Sequence, residues 1–307
     1  MSEPTTDDDP VVEPATPGLG DVPAARTPSA RPGSRARLAK QVGWYLTLTL
    51  LSLIVLFPVW MILVRALSQP IAYLTAGQPP RPVEPEWDVF SRAFRQGDLD
   101  RRLLTSAGMT IIIATAQVVT SVLAAYAFAF LRFPFRRLAF VGFMATLMLP
   151  IEVTLIANVE TIRTLGWFNS FQGLTAPFLA AAFGTFLIRQ GFLGIPDDLR
   201  DAAELDGYGH LGFLWHVAVP VTRPIIASFT VISFLSAWNQ YLWPRSIITR
   251  EAWDTIQIAL PKFASENINQ LNLGFAAAII AALPILAILI FFQRHLIRGL
   301  TAGAVKG

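Results

Sequence analysis

Long uncharged apolar runs alternate with short polar intervals along this chain, at lengths that match a membrane better than a globular core. Val42–Val64 holds 23 residues without a charge, and at about 1.5 Å of rise per residue this covers a hydrocarbon core of about 30 Å. Leu103–Leu131 holds 29 such residues, Pro224–Pro244 holds 21 and Leu271–Gln293 holds 23. A run from about Leu138 to Val159 is interrupted by Pro150 and Glu152, and another lies within Thr164–Ile188, starting near Phe171. The pattern predicts an all-α integral membrane protein with six transmembrane helices, at about 42–64, 103–131, 138–159, 171–191, 224–244 and 271–293. Trp44 and Trp60 fall near the ends of the first span, where amphipathic rings favour the interface.

The intervals between the runs set the topology. Residues 1–40, rich in Pro, Ala, Ser and Thr, have little apolar surface to bury and are expected to form a disordered tail. A signal peptide is the rival reading, but the acidic start and the length of the following apolar run argue against it. Residues 65–102 and 245–270 are polar loops, Arg132–Arg137 is a short basic turn, and 194–223 is the longest polar interval between the later spans. Six spans put both termini on one side, which carries 14 of the 24 Lys and Arg residues. The basic turn and the Arg294/Arg298 end lie close to spans, so the termini and the interval 194–223 are expected to be cytoplasmic. The six-span domain then covers about 41–300, followed by a short cytoplasmic end, 301–307.

Composition narrows the chemistry. Charged residues make up 15% of the chain, well below the roughly 25% of ordinary globular domains. A net charge of +3 from scattered arginines gives no nucleic-acid footprint. With no cysteine there is neither a disulfide framework nor a thiol nucleophile. There are only three lysines and no G-x-x-x-x-G-K-[ST] loop, so this chain has no Walker A motif to cradle ATP. His210 and His216, six residues apart, lack the i, i+4 spacing of a helical metal pair. Asp197, Asp198, Asp201, Glu204 and Asp206 read as a solvated docking face rather than a metal cluster. No catalytic residue and no metal site is expected.

The interval itself has internal order. Pro196, Asp197 and Asp198 form a helix start, Leu199–Leu205 a short helix, Gly207 and Gly209 a break, and Leu211–Val219 a second amphipathic run closed by Pro220. Leu211, Leu214, Trp215 and Val219 recur at helical spacing, as a face that rests on lipid or in a protein groove. An ordinary solvated surface loop is the alternative on these grounds alone. The spacing Asp201-Ala202-Ala203, three residues, Gly207, nine residues, Val217, one residue, Val219-Pro220 resembles the coupling loop of ATP-binding-cassette importer permeases. Aspartate stands for that family's glutamate, and valines for its larger aliphatics.

The resemblance extends over about Val42–Arg298 and is closest to the carbohydrate-uptake class, on the branch similar to the second maltose permease subunit. Arg132-Phe133-Pro134, Leu147–Val153, Phe186–Gln190 and Trp238–Pro244 look like its glycerol-3-phosphate and glycerophosphodiester members. It implies a cytoplasmic coupling-helix loop between spans four and five, with Asp201, Ala202, Ala203, Asp206, Gly207, Phe213 and Pro220 as ATPase-coupling residues. It also implies a second permease subunit, two copies of a nucleotide-binding ATPase that holds ATP and Mg, an external solute-binding protein, and a bacterial inner-membrane location. Glycerophosphocholine is one implied cargo. A sugar importer of the same class, and a stand-alone secondary transporter or channel, remain open alternatives.

Intramembrane polar residues are functional candidates by default. Glu152, Asn239 and Gln240 come to similar depths when counted along straight spans, so they are candidates for one translocation pathway, with Trp238 and Tyr241 beside them. Two bland readings stay open: helix-to-helix hydrogen bonds for Asn239 and Gln240, and a Glu152–Arg163 ion pair. Trp238, Tyr241 and Trp243 are candidates for cation–π contacts with a choline-bearing cargo, although packing or interface anchoring is the favoured reading.

Overall fold

The computed structural model describes residues 34–265 and 268–301, and these are almost entirely helix and connecting turn, with one isolated β-bridge between Ser68 and Pro85. The chain divides into two units, Met1–Val55 and Leu56–Gly307. In the first, residues 34–55 are helical and the side chains of 41–55 are all exposed. They belong to α1 (Ser34–Leu67), which starts inside the stretch expected to be a disordered tail. The Ala, Arg, Leu and Lys residues just before the apolar run are good helix formers, and propagating an existing helix costs little. The remainder of that tail, 1–33, and the final residues 302–307 lie outside the described residues.

In the second unit, α2 (Pro70–Thr75) and α3 (Val89–Gln96) order the loop 65–102, and α4 (Leu99–Phe130) is the second span. Then come α5 (Arg136–Ala145), α6 (Ile151–Thr164), α7 (Phe171–Thr175), α8 (Ala182–Leu193), α9 (Asp197–Leu205), α10 (His210–Phe213) and α11 (Val219–Val221). The chain ends with α12 (Arg223–Trp238), α13 (Leu242–Ile247), α14 (Ile256–Ser265) and α15 (Leu271–Thr301). Gln41–Leu67, Leu99–Phe130 and Leu271–Arg294 are each long and apolar enough to cross a membrane alone. Three bent helix pairs bring the number of spans to six when each pair is taken as one.

Three of the expected spans are not straight. The third, expected as 138–159, consists of Arg136–Met148 and Glu152–Thr164 at 99° to each other. Pro150 is the cause: it disfavours helical geometry in the residue before it, and Leu149 is extended at φ −82°, ψ 115°. Each arm spans about 20 Å at most, so neither crosses the core alone. The fifth, expected as 224–244, is helical only to Trp238, with α13 starting at Leu242. Pro244 lacks the N–H that a continuous helix would donate to the Gln240 carbonyl, and its ring would clash there. Span four bends by 46° between Phe171–Phe178 and Ala182–Leu193.

The bend in span four is bridged by side chains of α4. Gln117 Nε2 donates to the Phe178 carbonyl at 2.9 Å, Thr120 Oγ1 to Leu179 at 3.0 Å, and Ser121 Oγ to Ala181 at 3.3 Å. The bend frees the Phe178 and Leu179 carbonyls, which in a membrane must be satisfied within the protein, whereas the Ala181 carbonyl also takes the Thr185 amide at 3.1 Å. Ser233 of α12 donates to Gln117 Oε1 at 2.5 Å, tying in a third helix. The close approach depends on Gly184, where a Cβ would collide with the Phe229 ring and lie 2.5 Å from Ser121 Oγ.

Candidate functional site

Helix α9 starts after Pro196, which is extended at φ −60°, ψ 142°. Asp197 and Asp198 occupy its first turn, where carboxylates meet the positive end of the helix dipole. It ends in a Schellman cap: the Tyr208 amide donates to the Ala203 carbonyl at 2.9 Å, and the Gly207 amide to Glu204 at 3.0 Å. Gly207 has φ +81°, and a Cβ there would meet nothing within 4 Å. What the position requires is left-handed backbone, not space, and that gives the motif's glycine a physical reason.

Exposure divides the predicted coupling residues. Asp201, Ala202, Asp206 and Gly207 are exposed, Ala203 and Phe213 are buried, and Pro220 is half-buried. Ala203 and Phe213 share one core cluster with Tyr126 of α4, Phe192 of α8 and Leu214. Tyr126 meets the rings of Phe130, Phe192, His210 and Phe213 at centroid distances from 5.2 to 6.5 Å. Its hydroxyl lies 3.2 Å from His210 Nδ1. The hairpin is thereby fixed to the ends of α4 and α8 by aromatic packing and one hydrogen bond. A cavity of about 350 Å³ remains beside it, lined by Tyr126, Arg200, Glu204, Tyr208 and His210 among others.

The second helix of the hairpin differs from expectation. Leu214–Ala218 is a π-turn, which inserts extra residues into the helical period. The expected face of Leu211, Leu214, Trp215 and Val219 is accordingly split, with Leu214 buried, Val219 half-buried, and Leu211 and Trp215 exposed. Pro220 does not close the run, because the helix continues to Val221 and turns at Thr222. From there His210–Val221 and Arg223–Trp238 stand at 80°. That angle lays the hairpin helix across the axis of the span it feeds.

The candidate pathway residues are placed less uniformly. Glu152 is exposed in the first turn of α6, beyond the 99° bend, so a depth counted along a straight span does not describe it. Arg163 pairs with Glu160 at 3.4 Å rather than with Glu152. Asn239 is exposed at the end of α12, donating through Nδ2 to the Leu235 carbonyl at 2.9 Å, and Gln257 Nε2 lies 3.5 Å from its Oδ1. Gln240 Oε1 is buried with no hydrogen-bond partner among the described residues. Tyr241 is exposed. Trp238 belongs to the core: it is 2% exposed, donates from Nε1 to the Ala281 carbonyl at 3.2 Å and stacks on Phe234. Trp243 is likewise buried and bonded to the Gly173 carbonyl.

Sequence reasoning passed over a buried charged cluster at the far end of α4. Asp254 is 4% exposed and takes Lys262 Nζ at 2.7 Å and Arg102 at 3.7 Å. The interval 245–270 reads only as a polar loop, and the tertiary fold shows that one of its charges is enclosed. The Gln117 row was passed over too, although a glutamine within an otherwise apolar span is a readable signal.

Residues 117–302 match the family described as binding-protein-dependent transport system inner membrane component. The sn-glycerol-3-phosphate transport system permease protein UgpE of Yersinia pestis bv. Antiqua is 34% identical over 256 residues, covering 81% of this chain and 91% of that protein. Among solved structures, a chain of a bacterial ABC transporter involved in import of the acidic polysaccharide alginate superposes with a TM-score of 0.73 at 22% identity. The superposition covers 87% of this chain and 99% of the other. A second, from an alginate ABC transporter in complex with an alginate pentasaccharide-bound periplasmic protein, gives 0.57 at 15% identity, covering 84% and 96%.

Proposed function

The chain belongs to the binding-protein-dependent transport system inner-membrane component family, and on that premise we propose that it is one permease half of an ATP-driven importer of glycerol-3-phosphate or glycerophosphodiesters. As a family member it is a multi-pass inner-membrane protein, and a stand-alone channel or secondary transporter is set aside. The observation that carries the substrate is the 34% identity with a glycerol-3-phosphate permease over most of both chains.

In this reading both termini and the hairpin are cytoplasmic. Asp201, Ala202 and Asp206, exposed on one short helix, meet a cleft of a separate ATPase, which holds ATP and Mg. Ala203 and Phe213 hold that helix to the spans, so movement of the docked hairpin is passed to α4 and α8. A second permease completes the pathway, and an external solute-binding protein docks on the loops 65–102 and 245–270. The neighbouring alginate transporter's complex with a periplasmic protein supports that arrangement.

Uptake into proteoliposomes containing the complete transporter tests the substrate. Glycerol-3-phosphate or glycerophosphocholine is expected to accumulate only with ATP and binding protein present. Accumulation of oligosaccharides alone would move the assignment to sugar import, and ATP-independent uptake by this chain alone would overturn the coupled mechanism.

A further inference from the structure

A second cavity, of about 370 Å³, opens where the end of α4, the start of α5 and the last turns of α8 meet. Its lining includes Phe128, Phe140 and three arginines, Arg136, Arg137 and Arg189. Since α8 runs directly into the hairpin, this is the hairpin's side of the membrane. Arg189 Nε donates to the Phe128 carbonyl at 3.2 Å, with its guanidinium 4.3 Å from the Phe140 ring centroid. Arg136 donates to the Leu131 carbonyl at 3.0 Å. Each guanidinium has five donors, so most of this donor capacity is unused. Among the described residues no carboxylate pairs with any of the three.

Two further features act on the same place. The start of α5 has no side-chain cap, its N-cap Phe135 being left-handed at φ 59°, so its first-turn amides add partial positive charge. Around the arginines, Phe133, Phe135, Leu138 and Val141 are exposed, with Phe135 at 80%. Unpaired cations facing one cavity call for an anion. The apolar rim calls for an anion that brings hydrocarbon with it, because a soluble phosphate gains nothing from those side chains.

We propose that this cavity binds the phosphodiester headgroup of an anionic phospholipid in the adjacent leaflet, with the acyl chains over Phe135, Leu138 and Val141. Basic pockets between membrane helices are suited to such headgroups, and each basic residue near an anionic surface contributes about fivefold in affinity.

Native mass spectrometry of the purified complete transporter, titrated in detergent with phosphatidylglycerol or phosphatidylcholine, tests this. The natural complex is expected to retain phosphatidylglycerol preferentially. The Arg136→Gln/Arg137→Gln variant, which leaves the Arg189 contacts in place, is expected to weaken that binding by roughly 25-fold without altering phosphatidylcholine retention. Equal retention of phosphatidylglycerol by the two complexes would overturn the proposal. Two outcomes on the natural complex alone would do the same, whether or not the variant assembles. One is no preference for phosphatidylglycerol over phosphatidylcholine. The other is its displacement by millimolar inorganic phosphate or glycerol-3-phosphate, which would make the cavity a soluble-anion site.

Discussion

Near its start, α4 carries Arg102, held 3.7 Å from the enclosed carboxylate of Asp254, which Lys262 also contacts at 2.7 Å. About 36 Å further along the same helix, Tyr126 is held by four aromatic or imidazole rings and a single hydrogen bond to His210. The first arrangement is directional and loses most of its value if one member shifts, because Arg102 and Asp254 stay buried. Ring packing is a sum of many small contacts, keeps much of its energy through modest sliding, and tolerates several offset geometries. The loop end of α4 is therefore suited to one register, and the hairpin end tolerates sliding without detaching.

The largest effect expected from this contrast is at Asp254. Asp254→Ala removes the shared acceptor and leaves Arg102, whose Nε already lacks a partner, facing Lys262. A loss of about 3–5 kcal/mol is expected, seen as a clear drop in the melting temperature of the purified transporter. A change below about 1 kcal/mol would mean that water reaches the cluster and that the loop end is no more rigid than the hairpin.

Reading the sequence reached the two ends unequally. Uncharged length is a property of composition, so α1, α4 and α15 were visible as runs, and the Gly207 spacing was visible through its resemblance to a coupling loop, with the Schellman cap supplying its physical reason. Burial of Asp254 was not visible, since its partners come from residues 102 and 262 and meet only on folding. The broken spans were half visible. Pro150 and Pro244 stood in the sequence, yet a proline within a span reads equally as a mild kink or as the full break found before Ile151 and Leu242. Depth counted along a straight axis failed for Glu152 for that reason. The two pathway aromatics are placed differently: Trp238 lies in a core cluster, while Tyr241 is exposed.

Smaller effects sharpen the hairpin side of the comparison. Gly207→Ala imposes left-handed geometry on a residue with a Cβ, costing about 1–2 kcal/mol with no steric clash to add. Its expected signature is weaker ATPase-subunit binding, from fraying of the α9 cap, with little change in the global melt. Tyr126→Phe keeps every ring contact and removes only the bond to His210, so a loss of about 0.5–1.5 kcal/mol is expected. If it destabilised the transporter as much as Asp254→Ala, the hairpin end would depend on a directional bond after all, and the contrast would fail.

The smallest effect on stability is expected at Asp201. Its side chain is exposed and makes no ion pair among the described residues, so Asp201→Asn should change stability, followed by thermal melting, by no more than about 0.5 kcal/mol. In the docking reading its charge acts outside this chain, where an interface carboxylate mainly alters the rate of association and its dependence on salt. Stopped-flow association of the ATPase subunit with the permease pair should therefore slow in the variant, and the slowing should fade as ionic strength rises. A stability loss comparable to that of Tyr126→Phe, with unchanged association, would make Asp201 part of the hairpin's own support and leave the exposed face of α9 without a partner-facing charge at that position.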